Sequence, residues 1–195
     1  MQPLRVVIAD NESIIRMDLK EILEEAGHSV VGEATDGLKA IELTRKYRPD
    51  LVIMDIKMPE MDGITAAKTI SNEKIAPVLL LTAFSQKEIV DKAKDSGVLA
   101  YLVKPVKETN LFPAIEIALS RFQEFAELEQ ELEDVKNSLE TRKVLDRAKG
   151  ILMDAYNLNE SEAYRRIQQY SMSKRKSIRD VAQAIVDSVT KKKGK

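Results

Sequence analysis

Short apolar runs alternate with amphipathic stretches along the first 121 residues. The apolar runs cover residues 4–9, 29–34, 51–54, 78–82 and 100–103. Between and after them, apolar side chains recur at helical spacing in residues 14–23, 37–43, 64–70, 89–93 and 111–122. Buried strands that alternate with helices are typical of βαβ units. The pattern therefore predicts an α/β domain, a doubly wound (βα)5 fold around a parallel sheet.

A different pattern begins at residue 122. Apolar residues recur there at alternating intervals of three and four, as in the seam of a coiled coil of about two heptads. The seam consists of Phe125, Leu128, Leu132, Val135 and Leu139. Glycine and proline are absent from 114 to 149, so one long helix is expected to leave the first domain. The seam either dimerises or folds back onto its own domain, and we favour dimerisation.

The remaining residues predict a small all-α domain of three helices. The first continues to Met153 or Tyr156, the second covers 162–170 behind a cap at Asn159 or Ser161, and the third covers 177–190. The predicted boundaries are 1–121 for the α/β domain, 122–138 for a coiled-coil linker helix and 139–190 for the helical domain. A basic tail, 191–195, is expected to be frayed.

Composition excludes several classes of protein. The 195 residues contain no cysteine and a single histidine, His28, which excludes disulfides, thiolate metal sites and histidine clusters. No run of about 18 apolar residues occurs, so no transmembrane helix is expected. The chain begins in strand-like sequence without a charged leader, and a cytoplasmic location is therefore predicted.

Charge is divided unevenly along the chain. From residue 141 onward there are 14 Lys and Arg against 6 Asp and Glu, a balance of +8. The preceding residues hold 17 against 26, a balance of −9, and the total is −1. Such asymmetry points to an anionic partner for the C-terminal part, nucleic acid first, unless both surfaces are merely solvated.

Four polar side chains stand at the ends of four predicted strands. They are Asp10, Asp55, Thr82 and Lys104. Each alone has a plain structural explanation, such as a helix cap or a surface charge. Together they lie at the sheet edge where ligands of parallel sheets bind. Two carboxylates bind a hard cation such as Mg²⁺ through oxygen, and a carboxylate can attack phosphorus to form an acyl phosphate. A hydroxyl and an ammonium group complete a phosphoryl site.

The segments around these residues resemble the receiver domain of bacterial two-component response regulators. The matching segments are 8–12, 54–63, 81–83 and 101–105, and the similarity covers residues 3–121. The resemblance implies that Asp55 is the phosphoacceptor, that Asp10 belongs to the acidic pocket, and that the backbone carbonyl of Lys57 is a metal ligand. It also implies a switch formed by Thr82, Tyr101, Lys104 and Pro105, with a cis Lys104–Pro105 bond.

One residue departs from the family pattern. The family usually places a second acid directly after Asp10, where this chain has Asn11 followed by Glu12. An amide still offers a metal ligand but carries no charge. We therefore expect weaker Mg²⁺ binding, with altered rates of phosphorylation or dephosphorylation. A receiver that acts without phosphate is the alternative.

The helical domain carries a concentrated positive charge. Six cations are expected near the junction of its second and third helices: Arg165, Arg166, Lys174, Arg175, Lys176 and Arg179. Cations of this kind grip phosphates, and Tyr164 or Tyr170 could stack on an unpaired base; core packing is the favoured role of Tyr164. Gly150 inside a helix costs about 1 kcal/mol relative to alanine, which indicates close approach of another backbone or of a ligand.

Three segments of this domain resemble the ANTAR domain, a three-helix RNA-binding module of antitermination regulators. They are 148–150, 162–164 and 171–175, within a match over about 135–190. The resemblance implies binding to stem-loops of nascent mRNA, which prevents a terminator hairpin. The residues nominated for RNA binding are Lys149, Gly150, Arg165, Arg166, Lys174 and Arg175.

The predicted function is a response regulator that a sensor histidine kinase phosphorylates, that dimerises on activation, and that binds RNA as an antiterminator. No enzyme activity is expected beyond phosphoacceptor chemistry. A DNA-binding regulator with a helix-turn-helix is the first alternative. An aspartyl phosphatase is disfavoured because Asp55-Ile56-Lys57 lacks a second aspartate, and no phosphate-binding glycine loop occurs.

Overall fold

A computed structural model describes residues 2–83 and 100–193. The strands are β1 (Arg5–Ala9), β2 (Ser29–Ala34), β3 (Leu51–Asp55), β4 (Val78–Thr82) and β5 (Ala100–Val103). The helices are α1 (Ser13–Glu25), α2 (Gly37–Tyr47), α3 (Gly63–Asn72), α4 (Glu108–Tyr156), α5 (Glu160–Lys174) and α6 (Ile178–Lys193). The helix predicted at 89–93 lies outside the described residues.

The five strands form one parallel sheet in the order β2-β1-β3-β4-β5. This order confirms the predicted doubly wound fold. The register aligns Ala9 with Met54, Asp55 with Leu81, and Thr82 with Val103. The carboxyl ends of β1, β3, β4 and β5 therefore reach the same edge of the sheet.

Both faces of the sheet are covered, which explains the near-continuous apolar strand sequences. One face packs Val7, Val52 and Leu80 with residues of α2 and α3. The opposite face packs residues of β1, β3 and β4 with α1 and with the first turns of α4, where Leu111 and Ile115 are fully buried. The start of α4 is therefore part of the same core as the central strands.

The chain divides into two compact units, Met1–Ala126 and Glu127–Lys195. Helix α4 is continuous over 49 residues and contributes to both, which confirms the long helix that the absence of glycine and proline from 114 to 149 predicted. In the second unit, the end of α4 packs with α5 and α6 around a small core. That core contains Ala148, Ile167, Val181, Ala182 and Val186, and it confirms the predicted three-helix arrangement.

The boundaries of α5 are set by hydrogen bonds at both ends. Asn159 caps its start, because its side chain accepts from the backbone of Glu162 while the Glu162 side chain accepts from that of Asn159. At its other end Arg175 has φ 52°, and the Lys176 N–H donates to the Ser171 carbonyl, a Schellman closure. The prediction of an end at residue 170 was wrong because Ser171 takes part in this closure.

Helix α6 is also longer than predicted. It runs to Lys193, three residues beyond the predicted end at 190, and the fraying of the tail stays a prediction. Residues 194–195 lie outside the described part.

Two glycines differ in what surrounds them. A Cβ on Gly63 would lie 2.0 Å from the backbone oxygen of Asp55, whereas a Cβ on Gly150 would meet no heavy atom within 4 Å apart from the backbone of its own helix. The expected close approach of another backbone to Gly150 is therefore wrong for the described residues. The close approach of a ligand to Gly150 stays a prediction. Helix α3, which begins at Gly63, instead runs against the end of β3.

Adding one methyl group at each glycine should have opposite effects. Gly63→Ala should lower the free energy of unfolding by about 3 kcal/mol or more, because the new Cβ overlaps a backbone atom. Gly150→Ala should raise it by up to about 1 kcal/mol, because alanine is the better helix former. Urea unfolding of both variants measures this, and an unchanged stability of Gly63→Ala would contradict the close approach of α3 to the end of β3.

Candidate functional site

Two buried carboxylates are held at the sheet edge by backbone amides. Asp10 directly follows β1 and Asp55 ends β3, and their residues are 0% and 6% exposed. The Asp10 Oδ1 accepts the Glu12 N–H at 2.9 Å, and the Asp55 Oδ2 accepts the Lys57 N–H at 2.8 Å. Each carboxylate thereby has one oxygen fixed by the loop that follows it and the other oxygen directed elsewhere.

The remaining oxygens converge on Lys104. Its Nζ lies 2.7 Å from Asp10 Oδ2 and 2.8 Å from Asp55 Oδ1. The lysine directly follows β5, its peptide bond to Pro105 is cis, and its backbone N–H donates to the Thr82 carbonyl at 2.8 Å. The structure therefore brings together three of the four predicted strand-end groups through their side chains, and it fixes the fourth residue, Thr82, beside them through its backbone.

The charged side chain of Lys104 is largely buried. Burial lowers the pKa of Lys104, but the hydrogen bonds and charges of Asp10 and Asp55 together outweigh that effect and raise it above its ordinary value. With both acids ionised, the three side chains have a net charge of −1. The site is therefore suited to gain a cation, or to exchange charge with a phosphoryl group.

The two other residues of the predicted switch differ in exposure. Thr82 is buried, with 3% of its surface exposed at the end of β4, whereas Tyr101 on β5 is 47% exposed. Strand β5 is an edge strand of the sheet. Tyr101 therefore lies where its ring can change surroundings without disturbing the core.

The oxygen donors near Asp55 fit Mg²⁺. They are the converging carboxylates of Asp10 and Asp55, and Mg²⁺ prefers oxygen ligands and retains several waters. The Lys57 carbonyl and the amide of the exposed Asn11 stay predicted ligands. In the described part of the chain, no three acidic or histidine side chains are grouped to hold a metal. A cation here would therefore rely on carbonyl oxygen and water, and it would share both carboxylates with Lys104.

Sequence reasoning missed two charged neighbours of this site. The Arg16 Nη1 donates to the Asp10 carbonyl at 2.7 Å, and its Nε lies 3.6 Å from a Glu33 carboxylate oxygen. A carboxylate oxygen of Glu12 lies 4.0 Å from Lys104 Nζ. Both residues lie within six positions after Asp10, and this closeness in sequence is the signal that could have identified them.

A groove in the second unit collects some of the residues nominated for RNA binding. It is lined by Lys149, Glu160, Ser161, Tyr164, Arg165 and Gln168. Tyr164 is 39% exposed, so its predicted core role is wrong. The reason is the helix period, because Ala163 and Ile167 occupy the buried face of α5 and Tyr164 falls beside it.

The other nominated cations lie elsewhere on α5. The Arg166 guanidinium stands over the Tyr156 ring at 4.7 Å, whereas Lys174 and Arg175 lie at the C-terminal end of the helix. Arg165 and Lys174 are nine positions apart along the helix, a rise of about 14 Å. The expectation that all of these cations cluster at the α5–α6 junction is therefore wrong for Arg165 and Arg166.

Among the described helices, none is long and apolar enough to span a membrane.

Two family models match the chain. The model for the response regulator receiver domain matches residues 6–116, and the model for the ANTAR domain matches residues 133–186. The chain is 48% identical over 187 residues to the transcriptional regulatory protein PdtaR of Mycobacterium tuberculosis, a match that covers 96% of this chain and 91% of PdtaR. It is 39% identical over 112 residues to the chemotaxis protein CheY of Thermotoga maritima, covering 57% of this chain and 93% of CheY.

Solved structures resemble the first unit. The response regulator domain of Thermotoga maritima CheB matches with a TM-score of 0.57 and 29% identity, over 61% of this chain and 98% of that chain. A chain of the CheX–CheY–BeF3–Mg²⁺ complex from Borrelia burgdorferi matches with a TM-score of 0.55 and 27% identity, over 58% of this chain and 87% of that chain.

Replacing Asn11 by an acid tests the predicted Mg²⁺ site. Asn11→Asp should bind Mg²⁺ about tenfold more tightly, because a second carboxylate beside Asp10 adds a full negative charge near the cation. Calorimetric titration of the full chain measures the affinity, with Asn72→Asp at the end of α3 as the control for net charge. An affinity equal to that of the unchanged protein would show that residue 11 does not face the cation.

Proposed function

Because the chain belongs to the response regulators in which a receiver domain precedes an RNA-binding ANTAR domain, we propose that it is a phosphorylation-controlled antiterminator. Phosphate on Asp55 would pair two chains, and the paired ANTAR domains would bind stem-loops of a nascent mRNA. Binding would then prevent the terminator hairpin from forming. The observation that carries this proposal is the convergence of Asp10, Asp55 and Lys104 at one edge of the sheet.

The geometry supports Asp55 as the phosphoacceptor. A carboxylate oxygen of Asp55 would attack the phosphorus of a phosphohistidine in a sensor kinase; the new O–P bond forms as the P–N bond breaks, and the histidine leaves as the neutral imidazole after taking up a proton. The Asp55 Oδ2 is already held by the Lys57 N–H, which orients the group. Lys104 would move its ion pair from the Asp55 carboxylate to a phosphoryl oxygen. The carboxylates of Asp10 and Asp55 and the carbonyl of Lys57 would hold Mg²⁺, which would supply positive charge next to the phosphoryl oxygens.

The surface beside the site supports a protein as phosphate donor. Helix α1 starts three residues after Asp10, and it carries Ile14 and Met17 with exposures of 70% and 69%. Such exposed apolar side chains next to a polar site are typical of protein contacts. We place the kinase contact there.

Transmission of the signal would run through the β5 edge. The Thr82 hydroxyl would donate to the phosphoryl group, and the exposed Tyr101 ring would become buried. Leu111 and Ile115 of α4 pack on the same sheet, and α4 continues without interruption into the ANTAR domain. A change in packing at the sheet therefore acts on the helix that carries the seam.

The seam supports dimerisation by its exposure. Its five side chains, Phe125 to Leu139, are each between 54% and 62% exposed in the single chain, so folding back does not cover them. Completing their burial would contribute about 1 kcal/mol per side chain, or roughly 10 kcal/mol per dimer. Association costs about 4–15 kcal/mol. The seam alone is therefore marginal, which fits pairing that depends on activation of the receiver.

Two ANTAR domains on one dimer suit an RNA with two stem-loops. Binding of the first loop raises the effective concentration of the second domain, so weak single contacts suffice. The excess of positive charge from residue 141 onward supplies the phosphate contacts.

Asp55→Asn should uncouple the two domains. Acetyl phosphate and Mg²⁺ should convert the unchanged protein from monomer to dimer and tighten its binding to a two-hairpin RNA, whereas Asp55→Asn should stay monomeric. Sedimentation velocity and filter binding measure the two effects, with a chelator of Mg²⁺ as the control. Read-through of a terminator in transcription by purified polymerase tests antitermination. Preference for duplex DNA over RNA, or a response to acetyl phosphate in Asp55→Asn, would rule the proposal out.

A charge in the seam should prevent pairing. Leu132→Lys should raise the dissociation constant of the phosphorylated dimer about 100-fold, because two ammonium groups would replace two buried leucines. Gln130→Lys adds the same charge on the outer face of the helix and should change the constant by less than about threefold. Sedimentation equilibrium compares them. Equal dimerisation of the two variants would place the interface elsewhere.

A further inference from the structure

The ammonium group of Lys149 is already held by two acids of its own chain. Its Nζ lies 2.6 Å from Glu160 Oε1 and 2.8 Å from Asp146 Oδ1. These hydrogen bonds, to Asp146 first and then to Glu160, raise the pKa of Lys149. The lysine therefore stays charged, but two carboxylates stand where a phosphate would bind.

The two acids are far more accessible than the lysine. The side chain of Lys149 is 14% exposed, whereas those of Asp146 and Glu160 are 55% and 70% exposed. A carboxylate that is already largely in water loses little hydration energy when it leaves its partner. Glu160 is also the first residue of α5, where a rotation of its side chain leaves the core of the unit unchanged. The Glu160 carboxylate can therefore leave the Lys149 ammonium group at little cost in free energy.

The same groove offers a surface for a nucleobase. Tyr164 is 39% exposed and lines the groove together with Lys149 and Arg165. An accessible ring beside cations is a usual arrangement for single-stranded nucleic acid, because bases stack on the ring while phosphates contact the cations. Glu160 opposes such binding, because its charge repels a phosphate that approaches Lys149.

We propose that Glu160 is a specificity residue that occupies Lys149 as a competing anion until an RNA phosphate displaces it. This inference rests on the proposed RNA binding. An unpaired loop offers a base to Tyr164 as well as a phosphate to Lys149, so it can replace Glu160. A fully paired duplex offers only phosphates, and the competing carboxylate disfavours it. Glu160 thus acts against unselective binding of polyanions, in the way that repulsive elements commonly create specificity.

A purely structural role for the pair leads to different results. Glu160 and Lys149 connect the start of α5 to the end of α4, and an acid at a helix start is favourable for the helix dipole. If fastening the helices is their only role, neutralising Glu160 should weaken RNA binding or leave it unchanged.

The test measures dissociation constants of the full chain for an RNA hairpin with an unpaired loop and for a blunt RNA duplex of equal length. Glu160→Gln should tighten duplex binding about tenfold and hairpin binding about threefold, and it should steepen the salt dependence by about one phosphate contact. Asp146→Asn, which leaves the start of α5 intact, should act in the same direction. Asp154 is an exposed acid of α4, the helix that also carries Asp146, and Asp154→Asn should change both constants by less than about twofold.

Lys149→Met completes the test. Introduced into Glu160→Gln, it should remove the gain in affinity, because the freed ammonium group is the cause of that gain. If the unchanged protein binds the hairpin but Glu160→Gln and Asp146→Asn do not tighten duplex binding, the competing-anion role is overturned and RNA binding stands. If the unchanged protein binds neither RNA, the proposed function itself fails.

Discussion

The ion pairs of Lys104 are the constraint on which the receiver site depends. Asp10 and Asp55 place two buried carboxylates at the ends of adjacent strands, and their charges would repel each other at short range without a cation between them. Lys104 supplies that cation at 2.7 and 2.8 Å. It also joins the end of β5 to those of β1 and β3, so that any group added to Asp55 must change its contact with the lysine. A local reaction at Asp55 is thereby coupled to the edge strand of the sheet.

The second unit repeats the arrangement of a lysine between two acids, but with different solvation. Around Lys104 the side chains of Asp10 and Asp55 are 0% and 8% exposed, whereas Asp146 and Glu160 around Lys149 are 55% and 70% exposed. Breaking a buried pair leaves a charge without solvent and costs several kcal/mol, about 3–5, while exposed pairs contribute about 0–1 kcal/mol. The first arrangement is therefore costly to open, whereas the second opens at little cost.

The sequence predicted the sheet and the receiver site because both follow from local patterns. Strands buried on both faces are continuous apolar runs, and the residue after each run falls at the ligand edge, so Asp10, Asp55 and Lys104 were found without knowledge of contacts. The helical unit was harder to predict. Tyr164 was assigned to the core, but it falls beside the buried face that Ala163 and Ile167 form, and α5 continues past its predicted end at residue 170 to Lys174. The bond between Lys149 and Glu160 depends on how α4 and α5 meet, which no spacing along the chain reveals.

The most direct test of the shared carboxylates is a calorimetric Mg²⁺ titration of Lys104→Met beside the unchanged protein, with the exposed Lys107→Met as control. If Lys104 and the cation use the same two oxygens, removing the ammonium should tighten Mg²⁺ binding about tenfold or more, while Lys107→Met should alter it by less than about twofold. Unchanged or weaker Mg²⁺ binding in Lys104→Met would show that the lysine and the metal occupy separate sites, and the coupling of Asp55 to the edge strand would then lose its physical basis.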